Sequence, residues 1–201
     1  MTKRIIYFIL GILILALGLT LNTKSLLGVS AINSLPNALS LVFSFTLGNF
    51  VTMMYCVFIV IQLILLKKLD LKVIGQLPFS FAFGYLVDLY RIVIPAQSIM
   101  TMKILFLALG IIFTALGATL MVKADLVLNP ADGIVNTISK VSGKPFGICK
   151  NAFDIIMVLS TVIACLLIGG RILDTIGIGT VLSALLIGRC IALIQKYMKN
   201  M

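Results

Sequence analysis

The chain reads as an all-α polytopic membrane protein. It is built from two inverted repeats of three transmembrane helices, each repeat with one short, half-length or re-entrant helix. Three observations predict this class. First, 61% of the 201 residues are hydrophobic and only 11% are charged, where soluble domains carry roughly 45–50% and 25%; the mean hydropathy is +1.23. Second, residues 25–66 contain no charge, a run longer than the roughly 20 residues that cross a bilayer. Third, the sequence repeats. A shift of 99 positions lays Gly11-Ile12 on Gly110-Ile111, Ala16-Leu17-Gly18 on Ala115-Leu116-Gly117, and Thr20-Leu21 on Thr119-Leu120. It also lays Lys24, Leu27, Asn37, Ser40, Val42 and Gly48 on Lys123, Leu126, Asn136, Ser139, Val141 and Gly147. Such a period is too long for a solenoid. It fits two copies of a helical bundle packed about a shared axis.

Residues 5–23 form the first span. Lys3-Arg4 ahead of an apolar run mimics a signal peptide, but the same segment recurs at 104–122, so it reads as a retained helix. Further long apolar stretches cover 48–66, 73–94, 103–122, 150–169 and 174–195. Each supplies about 28–33 Å of helix, enough to cross. Two shorter pieces, 31–45 and 130–142, carry Asn, Ser and Pro, the second also Asp. They reach only about 20–22 Å against a hydrocarbon core near 30 Å. All of residues 1–201 then form a single transmembrane domain, with repeats over about 1–100 and 101–201.

The basic residues choose between six and eight crossings. With the short pieces not crossing and the N-terminus cytoplasmic, Lys24, Arg91, Lys103 and Arg171 lie outside and the other twelve of the 16 Lys and Arg lie inside. Eight crossings give a weaker bias, ten against six. The positive-inside rule prefers six spans with both termini cytoplasmic. Three spans per repeat is an odd number, so the second copy enters from the opposite side. Eight full spans with parallel repeats is the alternative.

The short helices have readable starts. Asn129 suits an N-cap and Pro130 the first helical position. Asp132 falls third, where a carboxylate favours the free amides, and Gly143 suits the C-terminal stop. In the first copy Ser30 takes the cap and Asn33 the place of the aspartate. Asp132, Asn136 and Ser139 lie on one face, matched by Asn33, Asn37 and Ser40. With Asn129, the residues Asn33, Asn37, Asp132, Asn136 and Ser139 form the candidate binding set for a polar solute or cation, and Asp132 with Asp154 the candidate proton or ion site. Capping and inter-helix glue explain the same residue types without any ligand.

Asp154 lies four residues after Lys150, so the two can pair on one face. Asp88, three residues before Arg91, reads as a surface pair with it. Asp70 reads as solvated, and Asp125 and Asp174 mark span ends. Gly11 with Gly18, and Gly110 with Gly117, line helix faces for close packing. Gly177-Ile178-Gly179 lacks the Gly-Lys-Ser/Thr of a phosphate loop. Cys56, Cys149, Cys165 and Cys190 form no Cys-x-x-Cys and read as small apolar side chains. Histidine, glutamate and tryptophan are absent, which removes the commonest metal ligand; no metal or cofactor is expected. The net charge of +10 reflects the positive-inside bias, and without a basic run interleaved with aromatics no nucleic-acid partner is expected.

Several of these elements together resemble the YczE/YyaS/YitT family of bacterial integral membrane proteins, nearest its YczE branch. Leu27-Gly28-Val29-Ser30 is similar to that family's Leu-Gly-x-Ser-Pro element, with Ala31 in place of the proline. Asn129-Pro130-Ala131-Asp132-Gly133 keeps its Pro-x-Asp-Gly pattern. Ser142-Gly143-Lys144-Pro145-Phe146-Gly147 and Gly177-Ile178-Gly179-Thr180 with Gly188 resemble its later turn and its final span. The resemblance implies a bacterial cytoplasmic membrane and supplies no activity. Three functions compete. The first is a small-solute or ion permease with its site between the two polar half-helices at mid-membrane. The second is a non-transporting accessory or regulatory protein acting through a partner; separately, the expected partners are the lipid bilayer, a small solute or ion, and a second copy in a homo-oligomer. The third, a membrane-embedded enzyme using Asp132 and Asp154 as a proton-sharing pair, lacks a Gly-x-Gly-Asp element, and no enzymatic activity is expected.

Overall fold

The computed structural model describes residues 2–170 and 172–199, with the side chains of 198 and 199 left aside. Arg171, assigned to the outer side above, lies outside the described residues. The chain runs α1 (Thr2–Lys24), α2 (Ala31–Val42), α3 (Leu47–Leu66), α4 (Leu71–Ile74), α5 (Gln76–Val93), α6 (Met100–Ala124), α7 (Pro130–Ser142), α8 (Phe146–Ile168), a 3₁₀ turn (Ile172–Asp174) and α9 (Ile178–Lys199). The described residues include no strand. Six helices are long and apolar enough to cross a membrane: α1, α3, α4–α5 together, α6, α8 and α9. At 12 and 13 residues, α2 and α7 are about 18–20 Å long, too short to cross.

The expected boundaries shift in places. Helix α2 stops at Val42 rather than 45, because Phe43 turns extended and Thr46 already caps α3 through the Asn49 amide. Pro36 sits inside α2 without ending it. Gly75 separates α4 from α5, so the third span begins with a broken turn. The fifth begins earlier than expected, at Phe146, and the sixth later, at Ile178.

The centre of the molecule is an antiparallel pair, α1 against α6, packed through glycines. A methyl on Gly11 would come within 2.8 Å of Met121 Cγ, and one on Gly110 within 2.8 Å of the Asn22 amide. A methyl on Gly18 would come within 2.5 Å of the Thr114 amide, and one on Gly117 within 2.6 Å of the Leu15 amide. Each second contact is the first with the two copies exchanged. Small residues let helix backbones approach where no hydrophobic effect drives association. Around this pair, α5 packs on α1 and α9 on α6, while α2 packs on α8 and α7 on α3. The apolar core lies among α1, α3, α5 and α7, where Tyr55 stacks on Phe83 (5.6 Å) and Phe83 on Phe79 (5.6 Å).

One seam has no counterpart. Helices α3 and α5 meet at Gly48 and Gly84: a methyl on Gly84 would strike Thr52 Oγ1, and one on Gly48 the Gly84 carbonyl. Thr52 Oγ1 donates across the seam to the Ser80 carbonyl at 3.1 Å. Aligning the turn Asp70–Gly75 with Asp174–Gly179 places Gly84 on Gly188. Yet a methyl on Gly147 or Gly188 meets nothing within 4 Å. Helix α9 packs on α6, so that among the described residues α8, which packs on α2, has no helix in the place that α5 takes on α3.

Candidate functional site

Chain segments on either side of each half-helix set its depth. After α6, the loop 125–129 brings Asn129 back to the level of Tyr55, close to the middle of α3. Asn129 Oδ1 accepts from the Ala131 amide at 3.2 Å, Pro130 opens α7, and Gly143 closes it at φ +70. Helix α7 therefore starts near mid-span of α3 and ends beside the start of α8. Helix α2 behaves similarly at the other end. Ser34 Oγ lies 2.7 Å from Thr161 Oγ1, seven residues before the end of α8, and Val42 reaches Gly170 beyond that end. The loop ahead of α2 is tied to the loop ahead of α9: Val29 donates to the Thr175 carbonyl (3.0 Å) and Gly179 to the Leu27 carbonyl (2.7 Å). Gly177 and Gly179 serve this backbone approach, and Gly28 adopts φ +107 there.

A polar group collects at the start of α7: Asn129, Tyr55 and Asp154 are buried, and Asp132 and Lys150 are partly buried. The Asn129 side chain lies near the Tyr55 hydroxyl and the Asp132 carboxylate. The charges of Lys150 and Asp154 act on Asp132 from α8. Lys150 Nζ holds both Asp154 oxygens, at 2.5 and 2.6 Å, and Asp154 is 7% exposed. The helical spacing of these two residues thus produces the expected pair. The group contains two carboxylates and one ammonium. Asp132 and Asp154 are not hydrogen-bonded to each other among the described residues, because Lys150 engages Asp154. Asp154 and Tyr55 occupy equivalent positions in the two repeats, 99 residues apart. The counterparts of Asp132 and Tyr55 in the sequence repeat are thus Asn33 and Asp154.

The remaining candidates separate. Asn136 lines a cleft of about 380 Å³ with Gln62, Lys68, Gln76, Thr137 and Lys140. Asn37 donates to Thr175 Oγ1 (3.4 Å), and Thr175 lines a smaller cleft of about 200 Å³ with Ala38, Cys165 and Gly170. The two clefts lie at opposite ends of the molecule, one beside each half-helix. Asn33 donates to Ser30 Oγ (2.9 Å), while its own Oδ1 is buried without a partner. Ser30 therefore stands at the cap position but bonds a side chain rather than a helix amide. Ser139 donates to the Lys144 carbonyl (2.7 Å) and Ser40 to the Asn37 carbonyl (2.8 Å), both local bonds.

Two expectations about acids need correcting. Asp88 forms no close ion pair with Arg91 among the described residues, although its charge acts on Arg91. Its carboxylate accepts from the Gly48 amide (2.8 Å) and from Thr46 Oγ1 (2.6 Å). The start of α3 offers free amides and a positive dipole end, which a carboxylate on the adjacent helix satisfies. Asp70 is not merely solvated, since it caps α4 through the Lys72 amide (2.9 Å). Asp125 ends α6 in the left-handed conformation and joins Arg4 and Lys72. The Lys72 hydrogen bond and charge, with the Arg4 charge, hold its carboxyl below the ordinary value of 3.8.

Sequence reasoning missed the amide pair Gln62–Gln76. Gln62 Nε2 donates to Gln76 Oε1 (2.9 Å), Gln76 Nε2 donates back (3.2 Å), and Thr137 adds a long contact to Gln62 Oε1 (3.5 Å). The signal was present. A glutamine inside the run from Phe58 to Leu66 is a polar group at membrane depth, and such groups are rare without a function or a partner. Among the described residues no group of three or more His, Cys, Asp or Glu could hold a metal ion.

Comparison with known proteins finds similarity to uncharacterised proteins, one of them a membrane protein. A model of a family of unknown function, DUF6198, matches residues 2–196. The uncharacterized membrane protein YczE of Bacillus subtilis (strain 168) is 26% identical over 183 residues, covering 90% of this chain and 80% of that protein. The uncharacterized protein YyaS of the same organism is 25% identical over 189 residues, covering 92% and 89%. No solved structure matches the chain.

Proposed function

We propose, for a chain that belongs to the DUF6198 family of unknown function, that it is a small-solute or ion permease of the bacterial cytoplasmic membrane. The carrying observation is the group formed by buried Asn129, Tyr55 and Asp154 with partly buried Asp132 and Lys150, where α7 begins inside the bundle. Ionisable groups at such depth are costly, and they mark ion and solute pathways by default. Half-helices at matching positions of two repeats are the sequence pointer to a transport site. The exchange-related contacts of α1 and α6 support repeats of inverted topology, and the distribution of Lys and Arg favours both termini cytoplasmic. In this reading Asp132 takes a cation or proton, Lys150 and Asp154 set its charge environment, and the two clefts are access routes from the two faces.

The test is flux or binding in proteoliposomes across a panel of cations and small polar solutes. Asp132→Ala and Asp132→Asn should each lower the response by at least about tenfold, equivalent to the loss of one good interaction. A response identical to wild type in both variants sinks the reading. A second reading, a non-transporting accessory protein, draws support from the local bonds of Ser40 and Ser139 and the internal pair Ser34–Thr161. It expects a stoichiometric partner on purification and no flux.

A further inference from the structure

The larger cleft has a chemistry of its own. Its floor is the pair Gln62 and Gln76, 1% and 3% exposed, closed over Gly133. A primary amide has two N–H donors. Each glutamine uses one on the other's carbonyl oxygen. The second donor of each, at the bottom of a cleft in an apolar bundle, calls for an acceptor, because a buried donor left unpaired is destabilising. The rim supplies charge of the opposite kind. Asp70 is engaged by the Lys72 amide, and Asp125 by Arg4 and Lys72. Lys68 and Lys140 also line the cleft, and neither has a carboxylate partner among the described residues. The smaller cleft has no such character: Lys and Arg are absent from its described lining, and Thr161, equivalent to Gln62, bonds Ser34 instead. At about 380 Å³ the larger cleft falls within the size range of small-ligand sites.

We propose that this cleft binds a small oxyanion, a carboxylate or phosphate group, with the Gln62–Gln76 amides donating from the floor and Lys68 and Lys140 closing over it. The oxyanion belongs either to a free solute or to an anionic lipid headgroup, two sources of one chemistry. Binding here needs no passage through the chain, so it stands or falls separately from the permease reading.

The protein is reconstituted into phosphatidylcholine nanodiscs, and its thermal unfolding midpoint is followed against acetate, succinate and inorganic phosphate at constant ionic strength. A ligand that binds only the folded state raises the midpoint with the logarithm of its concentration once that exceeds its dissociation constant. The midpoint should rise with at least one oxyanion and not with tetramethylammonium. Lys68→Ala/Lys140→Ala should raise the concentration needed for a given shift by about tenfold or more. Gln62→Leu/Gln76→Leu removes both partners of a pair together, which leaves no orphaned amide, and should abolish the response. Should that variant not fold, the lysine variant carries the test. In phosphatidylglycerol nanodiscs, a higher starting midpoint with no further solute response assigns the site to a headgroup, and a persisting response assigns it to a free solute. No rise with any oxyanion in phosphatidylcholine discs, or a rise unaltered in the lysine variant, overturns the proposal.

Discussion

A methyl group at Gly84 should separate α3 from α5, whereas the same methyl at Gly188 should be harmless. At Gly84 the added carbon would overlap Thr52 Oγ1 and lie against the Gly48 carbonyl. The second obstacle is helix backbone and cannot rotate away. Overpacking of this kind costs about 1–3 kcal/mol. Movement of the helices also lengthens the Thr52–Ser80 contact at 3.1 Å, and a hydrogen bond between membrane helices averages about 0.6 kcal/mol. These two terms sum to about 1.6–3.6 kcal/mol, and the helix-propensity gain of up to about 1 kcal/mol leaves a net loss of about 1–3 kcal/mol for Gly84→Ala. At Gly188 nothing lies within 4 Å, so Gly188→Ala should be neutral or stabilising by up to about 1 kcal/mol. Reversible unfolding in mixed micelles titrated with a denaturing detergent measures both variants against wild type. Equal stabilities for the two variants would refute the claim that the first repeat is packed where the second is open.

Further measurements probe the other seams. Lys150→Met leaves Asp154 buried without its partner and should lower stability by about 3–5 kcal/mol, while Lys150→Met/Asp154→Leu should recover most of it in the same detergent titration. In a background with the native cysteines replaced, Thr52→Cys with Ser80→Cys should form a disulfide in membranes, and Asn151→Cys with Ala184→Cys should not; cross-linking of the second pair as readily as the first contradicts the open α8–α9 seam. The depressed Asp125 carboxyl contributes stability that is present above its ordinary value of 3.8 and is lost as pH falls through the lower folded value. Asp125→Asn should therefore flatten the decline of the unfolding midpoint between about pH 5 and pH 3, and added salt should shrink the wild-type effect because the group is exposed. Cysteine labelling should find positions 68 and 140 on one face of the membrane and position 103 on the other.

The helices and most of their caps were legible from local signals. Asn129, Pro130 and Gly143 each carry a rule that depends on neighbouring backbone alone, and α7 obeys all three. Lys150 and Asp154 were legible because four residues along a helix make one face. What escaped depends on which helices meet. Asp88 is close to Arg91 in sequence, but its partners at Thr46 and Gly48 lie some forty positions away on another helix. Gln62 and Gln76 face each other only because the turn at α4 folds α5 back along α3. The candidate stripe Asn33, Asn37 and Ser40 matched its counterpart in spacing, but spacing does not say what lies opposite. Ser40 turned back on its own helix, and Asn37 found Thr175.

The α1–α6 seam has the arithmetic of an isologous dimer interface enclosed in one polypeptide. Residue i of one helix meets j of the other, and the counterpart of j meets the counterpart of i, as Gly11–Met121 and Gly110–Asn22 do. A surface that complements itself needs no covalent link to find its partner. Residues 94–99 form a short connection between α5 and α6, so the chain can be cut there into two fragments. Expressed together, the fragments should reassemble through the glycine seam, and a bulky residue at Gly18 should keep them apart.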